Sequence, residues 1–282
     1  MARRLTVHFR TPAPTCVDEE LVVEPYGVPL VHVLVPNMRK PLLAHRRFRR
    51  ALVYAIHREV ILRHLTGGGK APGCRVVSGP FPFGITHDDP LGYAYDRSLT
   101  PRPYDPRLAL ALARVALEEV AAAEKKRGRE LSGMPQMVLA HPPGEIAQSA
   151  CQAIQRQLKV VGIPVTLEQV YPSRLAESPD DYDLVYAELA IWEPVVDAPR
   201  LLGEHGPAHG CSPYMSLVLA RLQRAVDWNE ARSLLPQVHR IAHDDVAVVP
   251  LWQMVDHLAY RKDLRGVGTR PVLLYQNVEQ WQ

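Results

Sequence analysis

The 282-residue chain has little excess of either charge: 33 lysines and arginines face 30 aspartates and glutamates, a formal balance of +3. A dedicated nucleic-acid binder ordinarily carries a stronger cationic excess gathered on one face, so no nucleic-acid partner is expected. No uninterrupted apolar run reaches the ~20 residues a membrane-spanning helix needs, and direct membrane insertion is not expected. The opening stretch, "MARRLTVHFRTPAP", is basic but is not followed by the apolar core of a secretory signal. Cys16, Cys74, Cys151 and Cys211 are widely separated, with no CxxC pair. A zinc ribbon is thereby disfavoured, and the redox compartment stays open. The chain lacks a GxSxG elbow and has no cysteine beside a candidate base. Nothing in it assembles into a catalytic group, and the expectation is a non-enzyme. "TGGGKAPG" (66–73) lacks the spacing of a phosphate loop and follows a helix rather than a strand, so it reads as a helix stop.

What is present is a globular composition, 47% hydrophobic and 22% charged, long enough for a sizeable core. "VPLVHVLVPN" (28–37) reads as a strand buried on both faces. "AHRRFRRALVYAIHREVILRHL" (44–65) follows. Its apolar Phe48, Leu52, Ala55, Ile56 and Leu62 recur at helical spacing, and Arg46, Arg49, Arg50, Arg58 and Arg63 mostly fall on other faces. The pattern predicts one amphipathic helix with solvated arginines, stopped by Gly67–Gly68–Gly69. Residues 71–104 form a long irregular segment that wraps a surface or a cleft. Asp105 and Pro106 are a good N-cap and first helical residue for the helix after them. Strands are expected at 137–141, 163–170, 182–192 and 246–253, with helices between them; this alternation implies an α/β fold with a partly parallel sheet.

Three constellations carry candidate chemistry. His205, His209 and Cys211 are ligand-type side chains at close spacing, but no fourth ligand can be named. His239 and His243 lie four apart on an expected helix. Arg240 occupies the position a zincin reserves for glutamate, so that reading fails and a role against the helix dipole remains. No metal site and no cofactor are expected. "AIWEPVVDAPRLLG" (190–203) is more informative: a buried strand delivers Trp192, Glu193 and Asp197 into a proline-broken loop. Open α/β sheets present ligand sites at the C-terminal ends of strands in this way. A core tryptophan with two solvated acids is the bland alternative.

The order of segments resembles the family 5 extracellular solute-binding proteins, the oligopeptide, dipeptide and nickel receptors of ABC importers. "VLVPNMRKPLLAHRRFRRALVYAIHREVILRHLTGG" is similar to the family's signature stretch through Asn37, Pro41, Arg49, Ala51, Leu52, Ala55, Ile56, Arg58, Glu59 and Ile61. "YDPRLALALA", "ACQAIQRQLKVVGIPVTLEQV", "DYDLVYAELAIWEP" and "DDVAVVPLWQMVDHLAYRKDLRGVG" resemble later family segments in the same order. The likeness runs from about residue 20 to the end.

The resemblance implies a periplasmic-binding-protein-like lobe (type II, class C): a mixed sheet, hinge strands and part of a first lobe. On that basis residues 1–27 are a first-lobe remnant and 28–40 a hinge strand. Residues 41–245 are the second α/β lobe, and 246–282 the return hinge strand with C-terminal first-lobe elements. Most of the first lobe and any signal sequence are expected to be missing from this chain. The implied function is the substrate-binding component of an ABC importer, extracytoplasmic in a full-length receptor. It would hold a small solute or peptide between lobes and dock on a permease. Trp192 would supply apolar or stacking area, and Glu193 and Asp197 would pair with an amine. Asn37 and Trp252, on the hinge strands, complete the expected ligand contacts. "WEPVVD" departs from the register in which peptide-binding members place their aspartate. The alternatives are a solute-binding-like domain of a transcription regulator and a truncated interaction module without its own activity.

Overall fold

The computed structural model describes residues 7–10, 21–68, 71–208, 212–268 and 277–282. In chain order the elements are β1 (Val7–Arg10), β2 (Leu21–Pro36), α1 (Pro41–Ala44), α2 (Arg46–Ala55), α3 (Arg58–Leu65), β3 (Arg75–Val76), α4 (Pro106–Lys126), β4 (Met137–His141), α5 (Glu145–Val160), β5 (Val165–Gln169), α6 (Pro172–Glu177), β6 (Leu184–Ala190), α7 (Pro194–Leu202), α8 (Pro213–Gln223), α9 (Trp228–Asp245) and β7 (Val249–Arg261). Among the described residues the strands form one mixed sheet, ordered β1-β7-β2-β6-β4-β5, with β3 pairing onto β7. β4 is parallel to β5 and β6, whereas β2 is antiparallel to both β6 and β7. The mixed α/β architecture expected from the sequence is the one found.

Strand alternation divides the interior in two. Leu34, Leu184, Tyr186 and Trp252 join the core under α1–α5. Val31, Val33 and Val35, with Val185, Ala187 and Leu189 beside them, face α7–α9. β2 carries prolines at 25 and 29, and its pairing with β7 jumps between Tyr26 and Leu30, where Gly27 has φ 71°. A proline donates no ladder bond, so Pro29 in that bulge costs the pairing little. Asp105 caps α4 as expected, accepting from the Leu108 amide at 2.9 Å.

The 44–65 stretch departs from expectation twice. It is not one helix: α2 ends at Ile56 (ψ 115°), and α3 restarts at Arg58. The break is held by Gln157, whose Oε1 accepts from the His57 amide at 2.6 Å, and His57 stacks on Tyr104 at 4.6 Å. Nor are its arginines all solvated, because Arg49 and Arg58 are buried. Arg49 donates to the carbonyls of Leu43 (2.9 Å), Ala44 (2.6 Å), Asp245 (2.7 Å) and Val246 (2.9 Å). Arg58 donates to Pro250 (3.0 Å), Val77 (3.4 Å) and Arg102 carbonyls, and burial pulls its pKa down to about 10. Both guanidiniums replace lost hydration with backbone oxygens. Together they tie α2 and α3 to the start of β7 and to the 71–104 segment.

Removing such a donor leaves several buried carbonyls unpaired, each costing roughly 1–3 kcal/mol. Arg58→Met is expected to lower stability by about 2–4 kcal/mol in urea unfolding. Arg63→Met, on the exposed side of α3, should stay within about 0.5 kcal/mol of the parent. Equal midpoints for the two variants would refute the anchoring role.

Candidate functional site

β6 is central and outreaches its parallel neighbour. β4 pairs with it only through Leu139 and Ala140, opposite Leu184 and Val185, while β2 accompanies it to Ala190. The C-terminal end of β6 therefore projects past the parallel strands, and Trp192 stands there 57% exposed. The following residues form α7 rather than the expected proline-broken loop. Pro194 takes the first helical position, and the Glu193 side chain caps the helix by accepting from the Val195 amide at 3.4 Å. Asp197 Oδ2 accepts from the amides of Trp192 (3.0 Å) and Glu193 (2.9 Å). Its carboxylate thus folds the turn that presents Trp192.

Glu193 also accepts a hydrogen bond from the Tyr93 hydroxyl. Burial, reinforced by that carboxylate, holds Tyr93 protonated well above the usual phenol range. The Tyr93 ring packs on Trp228, 5.0 Å between centroids, and Trp228 is 50% exposed. The rim is thus the Glu193 carboxylate with Trp192 on its own strand end and the Tyr93–Trp228 pair beside it. Tyr93 and Trp228 were missed in the sequence, where one lies in an irregular segment and the other at a helix start.

Asn37 and Trp252 do not join this rim. The Asn37 amide donates to Asp183 O at 2.9 Å, opposite the start of β6. It is therefore about nine residues, roughly 30 Å along the strand, from Trp192. The Asn37 side chain donates to the carbonyls of Tyr182 (3.0 Å) and Pro179 (3.2 Å), and edges a separate cavity of ≈ 510 Å³ over β6. Trp252 is fully buried in the core, opposite His32.

The residues of β2, β6 and β7 nearest the rim add polar groups the sequence reading passed over. His32 Nδ1 lies 2.7 Å from the Tyr186 hydroxyl and 3.9 Å from Glu188. Burial raises the Glu188 carboxyl, and Asp256 pushes it further; Asp256 is itself raised by burial. The signal was there, since His32 interrupts an otherwise apolar "VPLVHVLVP".

Ser78, His239 and Asp96 lie close enough to resemble a hydrolase triad, but their hydrogen bonds run the wrong way. The Asp96 backbone amide donates to His239 Nδ1 at 2.9 Å, so the ring proton sits on Nε2 and points at Ser78 Oγ, 3.1 Å away. The serine hydroxyl in turn donates to Tyr95 at 2.7 Å and is buried. His239 therefore cannot take the serine proton, as a triad base must. The chain instead pins the 71–104 segment to α9, as does His243, whose Nδ1 lies 3.0 Å from Ser78 O. This replaces the expected dipole role. His209 and Cys211 lie outside the described residues, as does Cys16; His205 is exposed in the turn after α7. Among the described residues no group of three or more His, Cys, Asp or Glu side chains is placed to hold a metal ion.

The sequence matches the bacterial extracellular solute-binding proteins, family 5 (middle), over residues 14–202. No curated protein matches it. Similar solved structures include NikZ from Campylobacter jejuni in complex with Ni(L-His), at 16% identity and TM-score 0.70, covering 94% of this chain and 54% of that one. AppA from Bacillus subtilis in complex with a nonapeptide shows 18% identity and TM-score 0.68, covering 93% and 52%. DppA from Helicobacter pylori in complex with the peptide STSA shows 18% identity and TM-score 0.69, covering 93% and 49%. The chain thus spans about half the length of the structures it resembles.

Burial depresses His32 to about 4 and His239 to about 3, below the ~6.5 of an unfolded imidazole. As pH falls the unfolded chain takes up these protons first. The stability supplied by the two neutral rings is therefore complete above about pH 6.5 and is lost as pH drops toward 4 and then 3. Glu188 and Asp256, being raised, oppose part of the loss. Melting temperatures should fall between pH 7 and 4, and His239→Gln should flatten that slope. An unchanged slope in the variant would contradict the buried neutral assignment.

Proposed function

This chain belongs to the bacterial extracellular solute-binding proteins of family 5, and we propose that it is the substrate-binding component, or the second lobe of one, of an ABC importer. Its ligand is a small solute such as a peptide or amine, held at the projecting end of β6. The observation that carries this reading is the rim itself. An exposed tryptophan and a carboxylate stand at the C-terminal end of a central strand, next to the antiparallel β2–β7 pair. Open α/β sheets place ligands at such strand ends, and a carboxylate walled by aromatic rings suits an ammonium group.

In this reading residues 28–40 and the return strand from 246 are the hinge crossings. Residues 41–245 form the second lobe, and 1–27 with the C-terminal elements complete part of a first lobe. Solute bridging two lobes would stabilise the closed state by contacting both. The permease would then engage that closed form outside the cytoplasm. No helix among the described residues is long and apolar enough to cross a membrane. The roles within the rim differ from those read in the sequence. Trp192 gives contact area, Glu193 is the ligand-facing acid, and Asp197 is a positioning residue that keeps the turn in shape. Asn37 and Trp252 fix the ends and core of the hinge strands and reach the solute only indirectly.

Calorimetric titration with a library of peptides and small amines tests this directly. Trp192→Ala, at an exposed position, should leave the melting temperature within a degree or two while weakening any binder at least tenfold. Glu193→Gln should weaken amine-bearing binders in particular, by about 2–5 kcal/mol if the pair is desolvated. A bound solute indifferent to both substitutions would place the site elsewhere.

A further inference from the structure

A second group of polar and aromatic side chains gathers where β3 pairs onto β7. Gln253, fully buried on β7, accepts from the Phe83 amide at 2.8 Å and donates to the carbonyls of Gly73 (2.6 Å) and Gly84 (2.9 Å). It therefore fixes both ends of the stretch that carries β3 and Phe83. Onto the Phe83 ring stack two guanidiniums, Arg75 at 4.0 Å and Arg97 at 4.3 Å from its centroid, with Tyr95 edge-on at 5.1 Å.

Burial lowers the Arg75 pKa, and the nearby Arg97 charge lowers it further. Yet among the described residues neither makes an ion pair. Arg75 Nε and Arg97 Nη1 are buried with no hydrogen-bond partner, and Arg97 Nη2 reaches only the Phe83 carbonyl, at 3.4 Å. The carboxylates of the same segment are engaged elsewhere. Asp89 accepts from the amides of Ile85 (2.7 Å) and Leu91 (2.9 Å), and Asp96 from Arg240 (2.7 Å) and Ser98 (2.6 Å). Arg75 also borders an open cavity of ≈ 550 Å³ with Arg63, Thr66, Gly73 and Cys74. Its one acid is Glu59, which lies 3.5 Å from His57.

Two guanidiniums stacked on one aromatic ring, each with an unpartnered donor and neither paired with a carboxylate among the described residues, have the chemistry to hold an oxyanion. We propose that Arg75 and Arg97, spread on Phe83 and anchored through Gln253, form an oxyanion site that takes a carboxylate or phosphate group. The planar donor fork of arginine matches either oxyanion. The site is independent of the amine reading at the Glu193 rim and stands or falls separately from it.

The test is a thermal-shift and calorimetric titration of the 282-residue chain with sodium phosphate and with sodium citrate, each against sodium chloride at matched ionic strength. The expected result is a saturable rise in melting temperature with at least one oxyanion, beyond the chloride control. A stronger response to phosphate or to citrate identifies which group the site prefers. Arg97→Gln should weaken binding about tenfold or more, Arg97→Lys should retain part of it, and Arg114→Gln, exposed on α4, should bind as the parent does. Arg75→Gln serves as a second variant. No saturable response in the parent would overturn the proposal, whatever the variants do. So would parental affinity in Arg97→Gln, or an equal loss in Arg114→Gln.

Discussion

The antiparallel pairing of β2 with β7 is the constraint from which the rest follows. The two large cores are built on the two faces of this ribbon and of β6 beside it, so α1–α5 and α7–α9 take their places by reference to it. The pairing is deliberately imperfect. Between Tyr26 and Leu30 it slips across a bulge containing Gly27 and Pro29, and again near Val33, opposite Pro250. Pro29 is tolerated because the first bulge leaves it without a ladder partner, whereas Pro250 stays paired with Val33 just past the second slip. The ribbon is thus continuous in space but interrupted in hydrogen bonding, and the interruption falls beside the level at which Trp192 emerges from β6.

Buried polar side chains, rather than extra hydrophobic area, lock the surrounding segments to this ribbon. Arg49 and Arg58 reach the residues just before and inside β7. Gln253 and the Ser78–His239 chain gather the long 71–104 segment against it. Each of these contacts is made with backbone groups or neutral partners, so their strength depends little on salt and much on geometry. The same segment delivers Tyr93 to Glu193 and Phe83 to its two arginines. An irregular connection becomes a shaped wall because its backbone is satisfied point by point.

Locally encoded elements were legible in the sequence. The Asp105–Pro106 start of α4 and the α5–Gly162–β5 unit follow from capping and periodicity, and the two long strands β2 and β7 from the family resemblance. What escaped was determined by residues distant in sequence. Arg49 and Arg58 look like solvated cations until carbonyls nearly two hundred residues away come to meet them. The break at Ile56 depends on Gln157. Pro194 and Pro199 read as loop breakers, yet Pro194 at a first helical position starts α7. The exposed end of β6 was found because a Trp followed by acids is a local signal. The aromatic partners Tyr93 and Trp228 were not, because only the fold brings them there.

The position of β2 also has a consequence for how the molecule is made. It leaves the ribosome well ahead of its two sheet neighbours, β6 and β7, which are translated about 150 and 220 residues later. At the 5–20 residues per second typical of synthesis, an apolar strand with both edges open waits about 8–30 seconds for the first of its partners. Such non-local closure makes for slow folding and an exposed intermediate. The exposure of residues 28–36 during that interval bears on the yield of native chain, a quantity separate from the stability of the finished fold.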